Sequence, residues 1–139
     1  MPGSATSYLR QMVLGHTLGF LGYAMPQPAF VGLCTTAPSG TATGVEVVGG
    51  GYTRQQGAYG MVAGRNDLAA NTATIEWAPA TATWGVIGWF ELWDALTGGN
   101  RLYWGPLVDP VDGVTPITRQ ILTGDIMRMS AGALIVQAI

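Results

Sequence analysis

The sequence predicts an all-β chain: a single β-sandwich or jelly roll of about eight strands, with a short N-terminal helix or arm. Three observations carry this. Short apolar segments rich in β-branched and aromatic residues recur along the chain, separated by glycine-rich or proline-bearing turns. One stretch, WGVIGWFELWDALTGGNRLYWGPL from Trp84 to Leu107, holds four of the five tryptophans and is apolar on both sides of one polar turn. Only YLRQMVLGHTLGF spaces its apolar residues as a helix does. No internal repeat or linker divides the 139 residues, so residues 1–25 are expected to form the arm or helix and 26–139 the sandwich.

The elements follow in order. Residues 1–6 read as a flexible lead-in, and Ser7 as the N-cap of a helix carrying Leu9, Met12, Val13, Leu14 and His16. Gly15, Gly19 and Gly22 weaken that helix by roughly 1 kcal/mol each relative to alanine and set its end at Gly19 or Gly22. Pro26, Gln27 and Pro28 stop it. Strands are expected over Ala29–Thr36, Val45–Val48, Tyr52–Val62, Thr72–Trp77, Thr115–Leu122, Ile126–Met129 and Ala133–Ile139, besides the two arms of the tryptophan-rich stretch. The triple glycine Gly49-Gly50-Gly51 marks a sharp bend or a close approach to another chain. Turns fall at Gly64 to Asp67, at Asp109-Pro110-Val111-Asp112-Gly113 and at Thr123 to Asp125.

The tryptophan-rich stretch reads as a long central hairpin. Strand alternation puts Trp89, Glu91 and Trp93 on one face and Gly88, Phe90 and Leu92 on the other. Both faces are largely apolar, so the strand belongs inside a packed body or an assembly. Gly98, Gly99 and Asn100 tolerate positive φ and let the chain reverse.

Composition narrows the function. Only 10% of residues are charged and 48% are apolar, which suits burial against neighbouring subunits. No apolar run approaches the roughly 20 residues of a membrane span, and the N-terminus lacks a convincing signal peptide. The formal charge of -2 argues against nucleic acid. The cations are six arginines without a lysine, a choice compatible with interface use or with GC-rich codon bias. The single cysteine, Cys34, excludes an internal disulfide and reads as a small buried hydrophobe.

Groups for catalysis are scarce. His16 is the only histidine and has no acidic neighbour in sequence. Glu76 and Glu91 could meet on adjacent strands as a glycosidase pair, with tryptophans beside them as a sugar platform. Core packing is the simpler use of those tryptophans. Asp109 and Asp112 are too few for calcium and suit a turn. The sequence therefore indicates no enzyme, no cofactor and no metal site.

At Tyr52-Thr53-Arg54-Gln55, Ile75-Glu76-Trp77, Trp84-Gly85, Gly98-Gly99-Asn100-Arg101-Leu102, Gly124-Asp125 and Gly132-Ala133-Leu134-Ile135-Val136, the chain resembles small virion structural proteins of tailed bacteriophages. The resemblance covers roughly Tyr8 to Ile139 and extends to tail-fibre-like and head-decoration proteins. It implies a jelly-roll cement protein on the outer capsid surface, stabilising the head by bridging major capsid subunits. The major capsid protein and copies of itself, as a dimer or trimer, are then the expected partners. A tail-associated fibre or adaptor module is the alternative. A carbohydrate- or receptor-binding sandwich using Trp77, Trp89, Trp93 or Trp104 is a further one. The expected core or subunit contact is Trp89, Phe90, Trp93 and Trp104. Leu9, Met12 and Val13 are expected to anchor the N-terminal segment, and Arg54, Arg10 and Arg128 either to meet acidic neighbours or to stand free on the surface.

Overall fold

The computed structural model describes residues 2–24, 28–109 and 111–138. These form one helix and twelve short strands: β1 (Ser4–Ala5), α1 (Ser7–Leu18), β2 (Phe30–Cys34), β3 (Gln55–Gln56), β4 (Tyr59–Met61), β5 (Leu68–Asn71), β6 (Ile75–Glu76), β7 (Gly85–Ile87), β8 (Trp89–Trp93), β9 (Arg101–Pro106), β10 (Arg119–Ile121), β11 (Arg128–Met129) and β12 (Ile135–Gln137). Their strand pairs are all antiparallel and make four sheets. The largest has the order β1-β9-β8-β2-β3; the others are β12-β5-β4, β10-β7 and β11-β6.

The fold is thus largely stranded with one short helix, but its strands are more numerous and shorter than the about eight expected. Glycines account for much of the difference. The chain from Trp84 to Trp93 breaks at Gly88, where β7 leaves to pair with β10 while β8 joins the five-stranded sheet. Residues 52–62 break similarly at Gly57, whose absent Cβ would meet the Tyr59 hydroxyl at 2.5 Å. Val45–Val48 is not a strand; it makes a single bridge, Cys34 to Glu46. β5 was not expected, because Leu68-Ala69-Ala70-Asn71 has little β-branching and takes its shape from pairing on both sides, with β12 and β4.

The central hairpin forms as β8 and β9, with a register slip between Leu92 and Trp93. Phe90 and Leu92 point into the main core with Val31, Leu33, Ile75, Trp77, Trp84, Ile87, Met127 and Leu134. Trp77 is its largest fully buried side chain, at 1% exposure. The triple glycine bends within the chain: Gly49, Gly50 and Gly51 all have positive φ, and the Trp84 indole N–H donates to the Gly50 carbonyl at 2.9 Å.

The N-terminus departs from the expected flexible lead-in. Gly3 N–H donates to the Ile135 carbonyl at 2.8 Å and Gln137 N–H to the Gly3 carbonyl at 2.9 Å, while β1 pairs with β9. The start of the chain therefore bridges two sheets. A Cβ at Gly3 would lie 2.7 Å from the Phe90 ring, so this crossing requires glycine. The helix N-cap is Thr6 rather than Ser7: Thr6 is extended, and its hydroxyl accepts from Leu9 N–H at 3.3 Å while donating to the Arg101 carbonyl at 2.7 Å. Gly19 ends the helix at φ 85°. Pro26 and Gln27, expected to stop the helix, and Pro110 of the expected turn lie outside the described residues.

Candidate functional site

The five-stranded sheet carries a polar network on the face opposite the main core. It begins with Glu91, the one carboxylate of β8. Alternation places it between Trp89 and Trp93, and register sets it opposite Gly32 on β2 and Trp104 on β9. Glu91 is 0% exposed, so its charge needs partners within the protein. Arg101 Nη1 supplies one at 3.0 Å, Gly44 N–H a second at 3.2 Å and the Cys34 thiol a third at 3.2 Å. Burial, with the neighbouring Glu91 carboxylate, pushes the Cys34 thiol far above its ordinary range.

A second pair lies beside the first. Arg54 Nε and Nη2 each donate to Glu46 at 2.9 Å in a two-point fork. Arg54 Nη1 donates to the carbonyls of Ala95 and Gly98 at 3.1 and 2.9 Å, which fastens the turn of the central hairpin. Its guanidinium lies 4.0 Å over the Trp93 ring, a cation–π contact. The Tyr52 hydroxyl donates to Glu46 at 2.6 Å and accepts from Leu33 N–H at 2.9 Å. Burial, then the bond to Glu46, raises the Tyr52 hydroxyl well above its usual range. Gly32 makes room for this arrangement: a Cβ there would meet the Glu46 carboxylate at 2.8 Å. These interactions hold a loop, a turn and three strands in fixed relation.

Of the residues singled out in the sequence, Phe90 is buried in the main core, while Trp89, Trp93 and Trp104 are half-buried on the network face. Leu9 is buried against Ala5 and Leu102, with Val13 packed on the same cluster; Met12 is half-buried. Arg54 spends its donors within the chain, and Arg128 pairs with Glu76 on neighbouring β6. Arg10 is exposed and makes no ion pair among the described residues.

The chemistry considered for the other residues meets a plain geometry. Glu76 and Glu91 lie in different sheets, each with its own arginine. Trp77 is buried and Trp93 is capped by Arg54, so neither offers an open plane for a sugar. His16 Nδ1 accepts from Tyr23 N–H at 3.4 Å. Asp109 accepts from Val111 N–H, and Asp112 from Val114 and Thr115 N–H, as turn-formers do. No group of three His, Cys, Asp or Glu suited to a metal occurs among the described residues, and no described helix is long and apolar enough to cross a membrane. A cavity lined by Phe90, Leu107, Ile117, Met127 and Leu134 measures about 60 Å³, far below the roughly 300 Å³ of small-molecule sites.

What the sequence reading missed is the network itself. Glu91 was visible as a lone carboxylate in an apolar strand, a signal that demands a buried cation. Glu46 and Arg54 can be paired only by knowing that the chain reverses through the triple glycine between them.

Residues 4–137 match the model of the family described as Podophage GP4 fiber I protein gp80. The chain belongs to this fibre family. It is therefore a phage fibre-type structural protein, in agreement with the tail-fibre-like side of the resemblance. A comparison with curated proteins finds no match. The family membership corrects the expected partner. The matched family is described as a fibre protein and not as a capsid-binding one, so the bridging of major capsid subunits is not retained.

Proposed function

We propose that this fibre-family chain is a tail-associated fibre or adaptor module of a podophage-type virion, acting by contact alone with no chemical step. The observation that carries the reading is the family match over residues 4–137, which spans nearly the whole described body. The side chains support it. The two most enclosed ion pairs, Glu91–Arg101 and Glu46–Arg54, are spent on fixing the body, while large apolar side chains stand on its surface. In this reading the four small sheets act as one sandwich-like unit, stiff enough to transmit load along a tail appendage.

Densitometry of the protein bands of purified particles tests it. A tail module is present in few copies per particle; hundreds of copies would overturn the reading.

A further inference from the structure

Main-chain pairing joins the two larger sheets into a closed circuit. β9, β8 and β2 lie side by side in one sheet, and β12, β5 and β4 in the other. Two segments carry the circuit from sheet to sheet. At one corner β3 pairs with β2, and the same segment, after Gly57 and Ala58, pairs with β5 as β4. At the other corner Ser4 and Ala5 pair with β9, while Gly3 bridges to Val136 of β12. Closure of this kind leaves the strands of the circuit without a free edge.

The two corners are fastened unequally. The β3–β4 corner holds β5 through the three residues of β4, and Thr72 N–H adds a bond to the Ala58 carbonyl at 2.8 Å. On its other side Gly57 N–H and the Tyr59 hydroxyl both donate to the Ala29 carbonyl, at 3.1 and 2.9 Å. Gln56 Nε2 donates to the neighbouring Pro28 carbonyl at 3.0 Å. The opposite corner holds β9 by β1 and by Thr6 N–H, which donates to the Leu102 carbonyl at 2.9 Å. It holds β12 by Gly3 alone among the described residues: Gly3 N–H donates to Ile135 at 2.8 Å and accepts from Gln137 N–H at its carbonyl at 2.9 Å.

That seam closes only because two glycines meet there. A Cβ at Gly3 would fall 2.7 Å from the Phe90 ring, and one at Gly105 would fall 2.8 Å from Gly3 Cα. The seam therefore has backbone contact but no side chain of its own to reinforce it. Behind it lie the buried Leu134 and Val136, and Leu134 with Phe90 also lines the small cavity described above.

We propose that Gly3 is a latch: the seam between Gly3 and β12 opens ahead of the rest of the fold, while β1 stays on β9 and the β3–β4 corner serves as the hinge. Parts of a structure closed by few hydrogen bonds open locally at lower free energy than the whole unfolds. The opening gives the Leu134 and Val136 side of the core a reversible route to solvent and marks where the body yields first. The latch stands on the strand circuit and holds or fails independently of where the chain sits in a virion.

Native-state amide hydrogen exchange of the purified full chain, followed by NMR, tests it. After correction for intrinsic rates, Gly3 and Gln137 N–H should exchange at least about tenfold faster than Thr72 and Gly57 N–H at the hinge, a difference of the order of one net hydrogen bond. Thr6 N–H, on the β9 side, should stay protected. Gly3→Ala should speed exchange at Gln137 about tenfold again and leave Thr6, Thr72 and Trp77 N–H unchanged. The native pattern decides alone should Gly3→Ala fail to fold. Equal protection at the two corners would overturn the latch. So would exchange of Thr6 together with Gly3, which would mean that the whole arm frays, or a uniform rise at every amide in Gly3→Ala.

Discussion

The network on the five-stranded sheet and the outer ridge of α1, where Leu14 and Leu18 stand exposed with Phe20 just beyond, invert the usual arrangement of a small domain. Charges commonly face water and large apolar groups face inward. Here Glu91 and Arg101 are 0% and 8% exposed, whereas Leu18 and Phe20 are mostly in solvent. The difference lies in what each set of residues can find within one chain. A buried carboxylate is tolerated because Arg101, Gly44 and Cys34 meet it; among the described residues nothing covers the ridge. One region is complete in the single chain, and the other leaves large apolar side chains exposed.

That contrast predicts a graded set of responses. The largest should come from Glu91→Ala, which leaves Arg101 buried without its partner at a cost of about 3–5 kcal/mol. Trp77→Ala empties the main core at a similar cost. Urea unfolding of both variants measures this, and a loss below about 1 kcal/mol for Glu91→Ala would show that the network is not closed as described.

Next is Arg54→Ala, which removes a fork, two carbonyl contacts and the cover of Trp93. A loss of about 1.5–3 kcal/mol is expected for such a charge-assisted set. Faster hydrogen exchange should accompany it at Asn100, whose N–H is bonded to Asp94 beside the clamped turn. Arg54→Lys keeps the charge without the fork and should restore only part of the loss.

Cys34 gives a chemical readout of the same region. Because burial and Glu91 hold its thiol protonated, alkylation at neutral pH should wait for opening of the network. Its rate should rise in Glu91→Ala and stay unchanged in Leu14→Ser. Fast alkylation of the native chain would contradict the burial.

Smaller still, the ridge variants Leu14→Ser and Leu18→Ser should leave the purified chain within about 0.5 kcal/mol of its stability, as exposed substitutions do. A large drop in Tm would mean that the ridge is covered by the chain itself. The smallest effect is at Asp112. The Thr115 hydroxyl, then the Val114 and Thr115 N–H groups, hold its carboxyl down to about 2. A depressed folded value means that the contribution is present above the ordinary carboxylate range and is lost as pH falls through about 2. An NMR titration should show this, with Thr115→Val moving the midpoint back toward an ordinary aspartate.

The sequence carried the stranded character, the single helix and the central hairpin, because alternation and turn glycines are local signals. It carried less where distant partners decide. Leu68–Asn71 became a strand only by pairing with β12 and β4, and Thr6 won the cap because it also reaches Arg101. Arg54 was legible as a residue seeking an acid, but not that Glu46 of the same chain would answer it. The outer ridge was hidden because Leu9, Val13, Leu14 and Leu18 all look alike as helix hydrophobes; only packing on Leu102 separates the inner pair from the outer one.

The most direct test of the central claim is immunogold labelling of intact particles with an antibody to this chain, viewed by electron microscopy. The account predicts gold confined to the tail. Gold spread over the head would contradict it.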